Sequence, residues 1–112
     1  MLCAASGATP ALGSSLAPPA VAAVTGPWRL YPEGQPSEPC SLVLAADGKV
    51  SGSGCAAAWL GRAVTTWVSK PDGLALLGKD RRTLVVLNPA GTDRYRGRTR
   101  QGTVLWLERT DR

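Results

Sequence analysis

From Thr25 onward, turn-forming residues cut the chain into runs too short for helices of ordinary length. Residues 32–39 are rich in proline, and Asp47-Gly48, Pro71-Asp72-Gly73, Asn88-Pro89-Ala90-Gly91 and Gln101-Gly102 each mark a reversal. Between these breaks the apolar residues recur at period two, as on half-buried strands. Trp28 and Leu30 alternate in 27–31, and Leu42 and Leu44 in 40–46. In 63–70, Val64, Thr66 and Val68 lie on one side and Thr65 and Trp67 on the other. Tyr95 marks a run over 92–99, and Leu105 and Leu107 a run over 103–109. Residues 74–77 and 83–87 are short apolar strands joined by a charged turn through residues 79–82. Asp47-Gly48 is the strongest hairpin signal, with 49–54 as a glycine-weakened return strand and 55–60 as a helical turn or loop carrying Trp59.

About eight short strands in this order predict an all-β fold, an eight-stranded antiparallel up-and-down β-barrel with a short N-terminal arm or helical turn. Closure removes the edges that a flat sheet would expose. A barrel of this size fills its interior with side chains or holds one small ligand. Trp28, Trp59, Trp67 and Trp106 are therefore expected in the core or at the rim, with the lining of a ligand cup as the alternative.

Within this pattern Cys40 and Cys55 stand 15 apart in a chain of 112 residues. A domain this small benefits from a staple, and a disulfide here contributes roughly 3 kcal/mol by restricting the unfolded chain. A disulfide implies an exported protein, whereas two buried free thiols would fit a cytosolic one. Cys3, in a small-residue stretch, is left unpaired.

The formal charge is +5, much of it from Arg81, Arg82, Arg94, Arg96, Arg98, Arg100, Arg109 and Arg112. Nucleic acid is a weak candidate partner. Arg94, Arg96, Arg98 and Arg100 alternate as the solvent face of a strand does, and no aromatic residue shares that face for base stacking. A solvated basic face, or one that steers an acidic partner, fits better. No apolar run is long enough to span a membrane.

The chain contains no histidine, which removes the usual proton-transfer side chain near neutral pH. C-x-x-C, H-E-x-x-H and P-loop motifs are also missing, and Asp47, Asp72, Asp80 and Asp93 all sit beside turns, where they cap backbone amides. The reading is a binding scaffold, not an enzyme, with no cofactor and no metal of its own.

Residues 1–24 are rich in Ala, Pro, Ser and Gly, forming an arm whose last turn opens at Pro18 and Pro19 and closes at Gly26. Residues 1–13 read as a signal-peptide remnant or disordered tail, with Ala11-Leu12-Gly13 placing small residues before Ser14 as signal peptidase requires. Met1-Leu2-Cys3-Ala4 is the alternative remnant of a lipid-attachment box.

Laid out in this order, the chain resembles the bacterial inhibitors of serralysin-type zinc metalloproteases, the Inh or alkaline proteinase inhibitor family. The matching landmarks are Gly26-Pro27-Trp28-Arg29-Leu30, Cys40-Ser41-Leu42-Val43-Leu44, Cys55 followed by Trp59, Trp67, and Pro71-Asp72-Gly73-Leu74-Ala75-Leu76-Leu77. Tyr95-Arg96-Gly97 and the run from Gly102 through Trp106 to Arg109 complete them.

The resemblance implies a barrel domain over 25–112 and an N-terminal trunk over 14–24 that enters a protease cleft. Ser14, Ser15, Leu16, Ala17 and Pro18 would be the protease-binding residues, with Ser14 reaching the zinc of the target. It also implies a periplasmic monomer that forms a 1:1 complex with a secreted zinc metalloprotease. Residues 17–24 are more apolar than the trunk of relatives. The rival readings are a small-ligand-binding barrel and a structural lipoprotein of the outer membrane anchored through Cys3.

Overall fold

The computed structural model describes residues 21–52 and 54–110. Its strands are β1 (Gly26–Pro32), β2 (Cys40–Leu44), β3 (Val50–Ser51), β4 (Thr66–Lys70), β5 (Gly73–Leu77), β6 (Thr83–Pro89), β7 (Arg94–Arg98) and β8 (Val104–Arg109). All pairings are antiparallel, in the order β3-β2-β1-β8-β7-β6-β5-β4. Only the β1–β8 pairing joins strands far apart in sequence.

The two outermost strands then meet. Lys49 bridges Thr66, the Val50 amide donates to the Thr65 carbonyl at 3.0 Å, and the Trp67 amide donates to the Gly48 carbonyl at 2.8 Å. The result is the expected up-and-down barrel, nearly closed.

Alternation selects what fills it. In β2 the inward set is Cys40, Leu42 and Leu44, and in β8 it is Leu105, Leu107 and Arg109. Leu30, Leu74, Leu76 and Leu87 join these leucines, all at most 1% exposed. Each such side chain gains about 1.5–3 kcal/mol by leaving water. Trp28 and Trp67 are also buried, with indole nitrogens donating to the Val24 and Ala45 carbonyls at 2.7 and 2.8 Å. Trp59 and Trp106 are half-buried, so the tryptophans serve as core and rim. Gly97 lets β7 approach β6, since a Cβ there would stand 2.2 Å from the Val86 carbonyl oxygen.

The seam between β3 and β4 departs from the sequence reading. The expected return strand over 49–54 shrinks to Val50–Ser51, and the chain passes through a 3-10 turn, η1 (Gly54–Ala56), and a helical turn (Ala57–Leu60). Cys55 bonds to Cys40 with a Cα separation of 5.6 Å, drawing the chain off the sheet. β4 starts at Thr66 instead of 63, and Val64 and Trp67 both turn inward, three residues apart, which breaks the alternation read there.

Two smaller readings are refined. Asp47 caps as anticipated, accepting from the Lys49 amide at 3.0 Å, and Asp93 lies in its turn at a φ of +56° while also facing Arg109 across 3.7 Å. The basic stripe also meets an aromatic residue from the next strand, because Trp106 on neighbouring β8 reaches it.

Antiparallel alternation gives the barrel two distinct ends. Residues 21–25 and the turns at 45–49, 71–72 and 90–93 share one, the trunk end. The connections at 33–39, 54–65, 78–82 and 99–103 share the other, the far end.

Candidate functional site

The chain enters the barrel through a single helical turn, α1 (Val21–Val24). One turn of helix leaves its carbonyls without intrahelical donors, and so short a helix is not stable alone. Here the barrel supplies the donors. The Trp28 Nε1 takes the Val24 carbonyl, and the Arg109 guanidinium donates to the Ala23 carbonyl and, at 2.9 Å, to that of Thr25. The Thr25 amide and hydroxyl close back onto the Val21 carbonyl at 2.9 and 2.7 Å, while the Val24 side chain is buried in the core.

Arg109 is the centre of this grip. Its side chain is 4% exposed, its Cζ lies 4.5 Å from the Trp28 ring centroid, and its Nε faces the Asp93 carboxylate. Burying a charge is unfavourable by several kcal/mol unless it is paired and hydrogen-bonded, and carbonyls, carboxylate and indole face together meet that demand. Gly26 makes room: its φ is +129°, and a Cβ there would stand 2.8 Å from Arg109 Nη1. Tyr95 packs edge-on against Trp28 with centroids 5.7 Å apart. Burial raises its hydroxyl pKa, with Arg109 opposing and Asp93 adding to the shift.

A second cluster lies outside the barrel on β1, β7 and β8. Glu108 accepts from Arg29 and Arg94, each at 2.8 Å. Arg94 and Arg96 stack on Trp106 with Cζ 4.4 and 5.5 Å from the ring centroid, and Glu33 accepts from Trp106 Nε1 at 3.1 Å and Arg96 Nε at 3.2 Å. Burial alone would raise the Glu108 pKa, but the Tyr31 hydroxyl, Arg29 and Arg94 outweigh it and hold the carboxyl below its ordinary value. Hydrogen bonds from Trp106 and Arg96 lower that of Glu33. The arginine stripe is therefore exposed, as alternation predicts, with Arg94 and Arg96 paired to these carboxylates.

Residues 18–109 match the protein family described as protease inhibitor Inh. The chain belongs to this family. An alkaline proteinase inhibitor of Pseudomonas syringae pv. tomato is 35% identical over 93% of this chain and 82% of its own length. That of Pseudomonas brassicacearum is 38% identical over 67% of this chain and 54% of its own. The crystal structure of a psychrophilic marine protease MP inhibitor superposes with a TM-score of 0.75 at 35% identity, covering 80% of this chain and 98% of that one.

Membership places the chain among protease inhibitors, not enzymes. Among the described residues, no helix is long and apolar enough to cross a membrane, and no group of three or more His, Cys, Asp or Glu could hold a metal ion. Of the residues singled out in the sequence, Cys40 and Cys55 form the Inh-domain disulfide. Ser14, Ser15, Leu16, Ala17, Pro18 and Cys3 lie outside the described residues. The clamp made by Arg109 and the arginine stack on Trp106 are what sequence reasoning missed. Continuing the alternation of Leu105 and Leu107 by one step would have placed Arg109 inside. The Trp106 stack needs the cross-strand register, Arg96 opposite Trp106, which no single strand displays.

Proposed function

We propose that this Inh-family chain inhibits a secreted zinc metalloprotease of the serralysin type by seating residues 14–24 as a trunk in the active-site cleft. The observation that carries this reading is the grip of Arg109 and Trp28 on the carbonyls of residues 23–25. A trunk hinged freely on the barrel would lose orientation on binding, about 1–2 kcal/mol for each backbone residue newly fixed. One whose base is already clamped loses less.

In this reading residues 1–13 are removed, Ser14 becomes the chain end, and residues 25–112 form the rigid body. A catalytic zinc keeps one coordination position open for water. The Ser14 amino group, carbonyl or hydroxyl would take that position, Leu16 would fill an apolar subsite, and Ala17 and Pro18 would lead out of the cleft. Pro18 and Pro19 restrict the arm and lower its ordering entropy further. The complex is 1:1 with a monomeric inhibitor. The Cys40–Cys55 bond suits an oxidising compartment, and we assign the periplasm.

Deleting Ser14, Ser15 and Leu16 tests the mechanism. The inhibition constant against a serralysin-type protease is expected to rise on the order of a hundredfold, the loss of a central anchor, with the melting temperature unchanged. An unaltered inhibition constant in a folded deletion variant would remove the trunk from the mechanism.

A further inference from the structure

The far end of the barrel carries a concavity of about 200 Å³ that the trunk mechanism does not use. Three arginines line it, each from a different connection: Arg62 before β4, Arg82 before β6 and Arg100 before β8. Thr83 and Gln101 add polar groups beside them, and Leu84 is among the apolar residues lining the space. No carboxylate lines it, and Asp80, on the same connection as Arg82, is not among the lining residues.

Convergence without a counter-charge is what points to a ligand. Arg29, Arg94, Arg96 and Arg109 pair with carboxylates, and Arg81 and Arg98, which have no ion pair among the described residues, do not line the concavity. Among the described residues Arg62, Arg82 and Arg100 pair with none. Like charges converging without a counter-charge repel one another, and a concave surface with protein walls concentrates their field. Guanidinium groups present forked N–H donors that match the oxygens of phosphate-type anions. The volume is below the 300–1,000 Å³ or so of pockets for drug-sized ligands, so it suits one such group with a small substituent.

We infer that Arg62, Arg82 and Arg100 form an oxyanion site for a phosphate or phosphomonoester group. Because it lies at the end opposite α1, it can be filled while the trunk end is engaged. The inference is independent of the trunk mechanism. The group's source is either a free anion or a headgroup on a membrane surface, and the chemistry is common to both.

Two titrations of the full chain test it, each repeated on an R62Q/R82Q/R100Q variant. In the first, inorganic phosphate is added against sodium chloride of equal ionic strength while backbone amide resonances are followed. In the second, the chain is sedimented with phosphatidylcholine vesicles with and without phosphatidic acid. A saturable shift at 60–62, 82–84 and 99–101 with phosphate, or sedimentation that requires phosphatidic acid, supports the site. Either response should weaken about tenfold or more in the variant. Response to phosphate alone assigns a free anion, and response to vesicles alone assigns a headgroup. All three side chains are exposed, so the variant should fold, and its melting curve checks this. No saturable response in either titration, or equal responses from a folded variant, overturns the inference.

Discussion

At the trunk end, Arg109 has a side chain 4% exposed and engages two backbone carbonyls, an indole face and a carboxylate. At the far end, Arg62, Arg82 and Arg100 stand exposed around a concavity with no carboxylate lining it. The same side chain thus has two uses in one small barrel. A buried guanidinium persists only where nearly every donor has an acceptor, which makes it an orienting device with little tolerance for movement. Exposed guanidinium groups need no internal partner and stay available to an external one. The sequence alone counts these arginines together as net charge, but burial separates them.

Removing the buried arginine should have the largest effect. Arg109→Met would leave the Ala23 and Thr25 carbonyls without their donor and Asp93 without its counter-charge, for a loss of about 3 kcal/mol. Urea unfolding measures this directly. Arg109→Lys keeps the charge but not the fork, and should fall between the variant and the parent. A loss below about 0.5 kcal/mol for the methionine variant would erase the distinction between the two ends, since exposed sites already sit in that range.

The next effect concerns the space Arg109 occupies. Gly26→Ala places a methyl group 2.8 Å from Nη1 at a φ of +129°, a backbone region that side chains rarely adopt. We expect destabilisation of about 2 kcal/mol, read as a fall in melting temperature of roughly 4–8 °C per kcal/mol. Arg109→Met with Gly26→Ala should lose less than the sum of the single changes, because the clash needs the guanidinium. Strict additivity would mean the strain lies in the backbone alone.

These two residues also mark what the sequence could and could not disclose. Gly26 was legible as the residue closing a helical turn; β5 and β6 follow from short apolar runs, β7 and β8 from alternation, and all four from the turn chemistry between them. The disulfide was legible from two cysteines placed within a strand pattern. Its consequence was not: tying Cys55 to Cys40 shortens β3 to Val50–Ser51 and shifts the start of β4, a tertiary constraint overriding local pattern. Asp93 was legible as a turn residue, but its facing of Arg109 was not, because that partner is remote in sequence. The far-end concavity is further from reach, since it needs three connections brought together by barrel closure.

Acidification should affect the outer face by a smaller amount. The Glu108 carboxyl has a folded pKa below its unfolded value of about 4.3, so its contribution is complete above that value and is lost as pH falls through the folded one. With a side chain 15% exposed and partners about half exposed, the contribution is about 1 kcal/mol. Unfolding measured between pH 5 and 3 should show this loss in the parent and a shallower slope in Glu108→Gln. Parallel slopes would assign the acid sensitivity to other carboxylates.

The smallest effect is expected at the far end, where it carries the other half of the contrast. Replacing Arg62, Arg82 and Arg100 by glutamine removes three charges that have no carboxylate partner among the described residues, so stability should change by no more than about 0.5 kcal/mol. The sign should favour the variant at low salt, because mutual repulsion is relieved. Raising the ionic strength to about 1 M shortens the screening length to about 3 Å and should close the gap between variant and parent. Unfolding curves at two salt concentrations read both outcomes. A variant less stable by more than about 1 kcal/mol would show that these side chains hold the barrel together, making the far end a second, exposed version of the Arg109 grip.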